Sequence, residues 1–211
     1  MSKNQMTRRQ HYIPQVYLGG FSPQYQNKGE KYTIYFYDLE KREQSKKDVP
    51  IKSICYEKCL YEMRGDSGKF VCDNHLEGFF SRIENMFHTY RDKLERKAFL
   101  EENYNTKCFL TKEEKIFWAA YMIVQILRLP NGLDAVEQEI KKHMTYTSDN
   151  MLAHDAARWY CLPFFSEINE ETGQIIKTLI KPMENMHIGV WVDLQGRIIA
   201  ADNPVYVETP E

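Results

Sequence analysis

The chain has 211 residues, 43% hydrophobic and 27% charged, an ordinary globular composition that excludes an intrinsically disordered tail. Twenty-eight Lys and Arg against 30 Asp and Glu give a formal charge of -2, so the basic excess that phosphate neutralisation asks of a nonspecific DNA binder is missing. The polar start Met1–Gln10 lacks the apolar core of a signal peptide, and no run approaches the roughly 18 apolar residues of a membrane span, so one sizeable cytoplasmic core is expected.

In chain order, Pro14 opens a helical turn that Gly19-Gly20 closes. Lys31–Tyr37, rich in β-branched and aromatic residues, reads as a strand, and residues 38–50 as a solvated polar connection. Cys55, Cys59, Cys72 and His75 have a spacing that roughly fits a zinc site. An odd cysteine count in a chain of this size favours free thiols in a reducing compartment instead. Gly65–Gly68 reads as a turn.

From about Asn74 to Asn103 the pattern becomes helical, with Leu76, Phe79, Phe80, Ile83, Met86, Phe87, Tyr90 and Leu94 on one arc. Glu77, Glu84 and Arg91 recur every seven residues along one edge of that arc. Thr111-Lys-Glu-Glu114 has the form of a capping box, and residues 116–129 are apolar on nearly every side, which predicts a central buried helix. Pro130-Asn-Gly132 ends it. Helices are predicted from about Leu133 to His143 and from Asn150 to Leu162, where Pro163 breaks the pattern. Met186, Ile188, Val190 and Val192 then alternate, and Arg197–Ala201 runs into Asp202-Asn-Pro204. The fold class expected is α+β, with central buried helices packed against a mostly antiparallel sheet of N- and C-terminal strands.

Arg128 is the residue a core would not choose, because it falls between Phe117, Tyr121 and Val124 on the helical wheel, with Gln125 one step aside. A buried guanidinium without a carboxylate costs several kcal/mol, so a bidentate contact with Glu84, Glu77 or Asp202 is expected. A structural salt bridge and a ligand or active-site role both satisfy that demand. If the pair anchors a polar cleft, His11 should approach it from the N-terminal segment. Glu77 and Glu84 otherwise read as the flank of an amphipathic helix, His11 as a structural ring, and Asp202 as an Asx turn.

Taken together, His11-Tyr-Ile-Pro-Gln15 with Tyr17-Leu18 and Phe21, Ile34–Asp38, Tyr61, Leu76-Glu77…Ile83-Glu84, Gln125–Pro130 and Asp202-Asn-Pro204 resemble the DUF4238 family of largely bacterial domains of unknown function. The ordered set covers nearly the whole chain, which implies one domain over 1–211. Family members often continue past Asp-Asn-Pro with further strands, so that domain is expected to stop short of them at its C-terminal end. The resemblance implies that the family's recurring polar positions fall on His11, Gln15, Glu77, Glu84, Gln125, Arg128 and Asp202, which raises the expectation of one shared site.

Two functions from different classes follow. The first expectation is a binding or interaction module of a bacterial defence or regulatory system, with a protein or a small phosphorylated ligand as partner and a closed polar network around Arg128. The alternative is a metal-dependent hydrolase, nuclease- or phosphodiesterase-like. There Glu77, Glu84 and Asp202 hold magnesium or manganese, His11 moves a proton, and Arg128 neutralises developing charge beside Gln125. The net charge gives a nucleic-acid partner no support.

Overall fold

The computed structural model describes residues 6–23, 32–65, 67–71, 74–100, 110–143 and 150–161. The strands are β1 (Arg9–His11), β2 (Thr33–Ile34), β3 (Tyr37–Asp38), β4 (Glu43–Gln44), β5 (Val49–Pro50) and β6 (Tyr56–Lys58). The helices are α1 (Gln15–Gly19), α2 (His75–Leu100), α3 (Lys112–Arg128), α4 (Pro130–His143) and α5 (Asn150–Cys161). The strands pair antiparallel as β1–β6, β2–β5 and β3–β4, which with the helices makes an α+β fold whose sheets are small. The C-terminal strands expected over 186–201, and Asp202 after them, lie outside the described residues.

The α3 helix begins as its sequence dictates. Thr111 accepts from the Glu114 backbone N–H at 3.2 Å, and Glu114 accepts from the Thr111 N–H at 2.7 Å, so two orphan donors of the first turn are satisfied reciprocally. No residue from Glu114 to Leu129 is exposed, as a helix apolar on nearly every side requires. Leu129 is extended (φ -65°, ψ 148°), the conformation favoured before a proline, and the chain turns there by 77°. The expected stop at Pro130-Asn-Gly132 is therefore a corner, with Pro130 itself opening α4, since its missing N–H is an orphan at that position anyway. Gly132 makes the corner tight, because a Cβ there would run into the Ile126 carbonyl. Among the described residues no single helix is long and apolar enough to cross a membrane.

Two expectations are corrected. The strand over Lys31–Tyr37 is broken at Tyr35-Phe36 into β2 and β3, and the polar stretch 38–50 supplies their partners β4 and β5. A pairing strand needs backbone donors and acceptors more than apolar side chains, so Glu43-Gln44 gave no local signal. Met86, placed on the buried arc of α2, is 42% exposed, whereas Leu76, Phe79, Phe80, Phe87 and Tyr90 are buried.

The α2 and α3 helices run antiparallel, since Tyr90 stacks on Phe117 at 3.9 Å, Phe87 stacks on Tyr121 at 4.8 Å, and Glu84 meets Arg128. A core of Leu60, Tyr61, Leu76, Phe79, Phe80, Val124 and Leu133 continues the seam. Ile13, Leu18, Ile34, Ile51 and Leu129 form the core beneath the small strands. The loop after β6 is held by α5: Asp155 accepts from the Arg64 and Gly65 N–H groups at 2.7 and 2.8 Å, and Arg158 donates to the Leu60 carbonyl at 2.8 Å.

Candidate functional site

Arg128 is the last residue of α3 and is 2% exposed. Its Nη1 donates to Glu84 Oε1 at 3.0 Å, its Nη2 to the His11 backbone carbonyl at 2.6 Å, and its Nε to the Tyr61 hydroxyl at a longer 3.5 Å. The guanidinium lies over the Phe80 ring, 4.3 Å from the centroid. Burial opposes the charge, the Tyr61 oxygen and Glu84 carboxylate favour it, and the balance holds the Arg128 pKa above its ordinary value. The expected carboxylate partner is thus Glu84. The expected bidentate fork is not formed, because the second arm goes to a main-chain oxygen.

Tyr61 closes the knot by donating to the Arg128 carbonyl at 2.8 Å, one of the last carbonyls of α3 that have no intrahelical partner. With its hydroxyl so enclosed, burial pushes the Tyr61 pKa well up, and it stays protonated. Just above, Gln10, fully buried in β1, accepts from the Tyr61 N–H at 2.7 Å and donates to Glu62 at 2.9 Å. These contacts fix β1 and the loop after β6 to the end of α3.

His11 reaches Arg128 through its backbone, and its ring is engaged elsewhere. Nε2 lies 3.2 Å from the Lys52 carbonyl and Nδ1 lies 3.3 Å from Gln15 Nε2. Donation to the carbonyl and acceptance from the amide fit the neutral ring in one tautomer. Burial lowers the His11 pKa, which agrees with that state. In this arrangement the ring nitrogens of His11 are bonded to Lys52 and Gln15, and it is the backbone carbonyl of His11 that meets Arg128.

Gln125 is 2% exposed, and among the described residues neither Oε1 nor Nε2 has a hydrogen-bond partner. The Tyr121 hydroxyl, one turn earlier, and Glu77 Oε2 are likewise buried without a partner among the described residues. Tyr121 and Arg128 sit beside Phe87 and Phe80 of α2, which places Gln125 level with Glu84 between them. Tyr121, Gln125, the Arg128–Glu84 pair and Glu77 therefore succeed one another along one seam. The α2 stretch from Glu77 to Glu84 is about 10 Å long at ~1.5 Å per residue. In this arrangement Glu84 is bonded to Arg128. Among the described residues no group of three or more His, Cys, Asp or Glu side chains is placed to hold a metal. Asp202, the third expected ligand, lies outside the described residues, as do Cys72 and the His75 side chain of the zinc alternative, while Cys55 and Cys59 are in no disulfide among the described residues.

Glu77 carries the site's clearest titration. Burial, followed by the Glu84 and Glu62 carboxylates, pushes its pKa up to about 7 against the pull of Arg128. A carboxyl whose folded pKa exceeds its ordinary value of 4.5 binds more protons in the native state, so stability falls as pH rises from 4.5 to 7. Discounted for the partial exposure of Glu77, the loss is about 1–2 kcal/mol. Urea unfolding across that window should show it in the wild type and a flatter profile in Glu77→Gln. An unchanged slope in the variant would assign the loss to other groups.

Pattern alone singled out Arg128 and put Glu84 among its three candidate partners, but the Gln10–Glu62 bridge had no such signal. Glu62 had no local signal. Gln10 had one, a polar residue between two others in a segment that becomes a strand, but strand status was itself invisible there. No curated protein and no solved structure matches the sequence significantly. The family model described as a protein of unknown function, DUF4238, matches residues 9–208, and the chain belongs to that family.

Proposed function

We propose that the protein is a single-domain ligand-binding module whose recognition site is the seam along Tyr121, Gln125, the Arg128–Glu84 pair and Glu77. The observation that carries this reading is Gln125, a buried amide whose acceptor and donor are both unmet by any described residue. Leaving such groups unmet costs about 1–3 kcal/mol each, and native interiors rarely accept it without a resident that supplies the missing bonds. A small polar ligand with a donor and an acceptor fits that demand.

The hydrolase alternative loses support on two counts. Arg128 spends each of its nitrogens on Glu84, His11 and Tyr61, so it is a clasp rather than a free clamp for developing charge. Glu84 is committed to Arg128 and would have to leave it to bind magnesium or manganese. A module of this kind suits a sensor in a bacterial defence or regulatory system, and the odd cysteine count suits the reducing cytoplasm.

A thermal-shift screen of small amides, amines and phosphates tests the proposal. Compounds that stabilise the wild type should lose their effect in Gln125→Leu, while that variant without ligand should be as stable as wild type or more so, within about 1 kcal/mol. A loss of 2–3 kcal/mol (roughly the cost of stranding a bonded partner) would show that the fold itself already satisfies the amide, and the proposal would fall.

A further inference from the structure

Four large apolar side chains stand out into solvent within residues 35–39: Tyr35 and Tyr37 are each 56% exposed, Leu39 is 79% exposed, and Phe36 lies exposed between the tyrosines. A contiguous exposed patch of this kind marks a contact surface. In the β3–β4 ladder Tyr37 stands opposite Gln44, and Asp38 opposite Glu43. Residues directly opposite share a face, and successive ones alternate. The Ser45 N–H donates to the Phe36 carbonyl at 2.9 Å, so the ladder runs on by one pair. The alternation puts Phe36 and Ser45 with Asp38 and Glu43, and returns Tyr35 and Lys46 to the face of Tyr37 and Gln44. Both strand carboxylates therefore stand on one face, and two tyrosines, an amide and an ammonium on the other. Residues 35–48 hold four cations and four carboxylates, so their sorting, not their sum, gives the tyrosine face its sign. Lys41 is held by Asp38 at 2.9 Å, whereas Arg42 in the turn, Lys46 and Lys47 are exposed and in no ion pair among the described residues.

We propose that this face of the β3–β4 ribbon binds single-stranded nucleic acid, with two bases stacked on Tyr35 and Tyr37 and the phosphates drawn along Lys46, Lys47 and Arg42. Two residues along a strand span about 7 Å, roughly twice the ~3.4 Å rise of a duplex strand. The two rings thus take bases of a strand drawn out of its stack, and not those of a closed double helix. Ring and cation stand on neighbouring strands about 5 Å apart, which lets a base lie on a tyrosine while its phosphate reaches the ammonium across the sugar. Stacking combined with backbone charge is the sequence-tolerant way of holding a single strand. A membrane fits less well, because the turn that would enter the headgroups brings Asp38, Glu40 and Glu43 against anionic lipid. A strand lying on the tyrosine face leaves Asp38 and Glu43 behind it. The formal charge of -2 on the whole chain sets the strength, so the affinity stays in the nonspecific range of about 1–100 μM. None of these side chains belongs to the seam between α2 and α3, so this surface and the ligand site stand or fall separately.

Fluorescence anisotropy of labelled oligouridylate and oligothymidylate of about ten nucleotides, titrated with the full chain at low salt, tests this. Binding should weaken with salt along a log–log slope of about -2, the sum of about three phosphates at roughly -0.7 each. Tyr37→Ala should weaken it at least about fivefold, whereas Tyr37→Phe, which keeps the ring, should retain it. Tyr35→Ala gives the same reading at the other ring, and Lys46→Ala should flatten the salt slope by about 0.7. All of these side chains are exposed, so the variants should melt with the wild type, and a loss of binding is then not a loss of fold. No binding below about 1 mM at low salt overturns the proposal. Equal or tighter binding of a duplex of the same length overturns the single-strand assignment. Binding to phosphatidylserine vesicles without binding to either oligonucleotide overturns it in favour of a membrane. Binding that neither Tyr35→Ala nor Tyr37→Ala changes overturns it too, since charge alone would then be its source.

Discussion

Arg128→Leu should destabilise the protein by about 3–5 kcal/mol, the range found when one partner of a buried ion pair is removed. Leucine removes one charge and strands three acceptors, the Glu84 carboxylate, the His11 carbonyl and the Tyr61 hydroxyl oxygen. Glu84 keeps a quarter of its side chain exposed and can partly rehydrate, which places the expected loss toward the lower end. Arg128→Lys separates charge from shape. An ammonium retains the attraction to Glu84, but it cannot span Glu84, His11 and Tyr61 with one planar group while stacking on Phe80, so about 1–3 kcal/mol should still be lost. Urea unfolding of both variants measures the two numbers. Losses below about 0.5 kcal/mol in both would put Arg128 in the range of ordinary surface substitutions and remove the clasp from the site.

How much of this was legible follows from the range over which each signal acts. Capping at Thr111 and burial along 116–129 are local or periodic properties, so the sequence of α3 alone carries them. Arg128 was legible for a related reason, since a permanent charge on an apolar face must find a carboxylate, and Glu84 lay on the flank of the neighbouring helix. The details of that contact were not legible, because the second acceptor is a main-chain carbonyl, which every residue possesses and no residue type advertises. The same holds for β1 and β4, whose side chains are polar and whose strand character comes from partners remote in sequence or across a turn. His11 shows the limit of reading chemistry from residue type: its position was placed beside Arg128, but the ring is bound to Lys52 and Gln15, and only the backbone reaches the cluster.

Gln10→Leu should cost about 2–4 kcal/mol, from the loss of two buried hydrogen bonds, one of them to a carboxylate. Gln10 is fully buried and spans two groups with opposite needs, accepting from the Tyr61 N–H and donating to Glu62. A leucine of similar size fills the space but strands both. The consequence extends to the site, because β1 carries His11, whose carbonyl accepts from Arg128, and Tyr61 holds the Arg128 carbonyl. Gln10→Glu provides the control for packing. It preserves the acceptor for Tyr61 but sets a second carboxyl against Glu62, where two like charges cannot both ionise cheaply, so one pKa must rise. That native-state proton is lost as pH climbs through the raised pKa, and the variant's deficit relative to wild type should therefore grow with pH and be smallest in acid. Denaturant unfolding at several pH values reads both effects. A deficit that does not change with pH would mean that residue 10 and Glu62 do not share a buried contact, and equal stability of Gln10→Leu and wild type would remove the bridge from the account of how β1 is held.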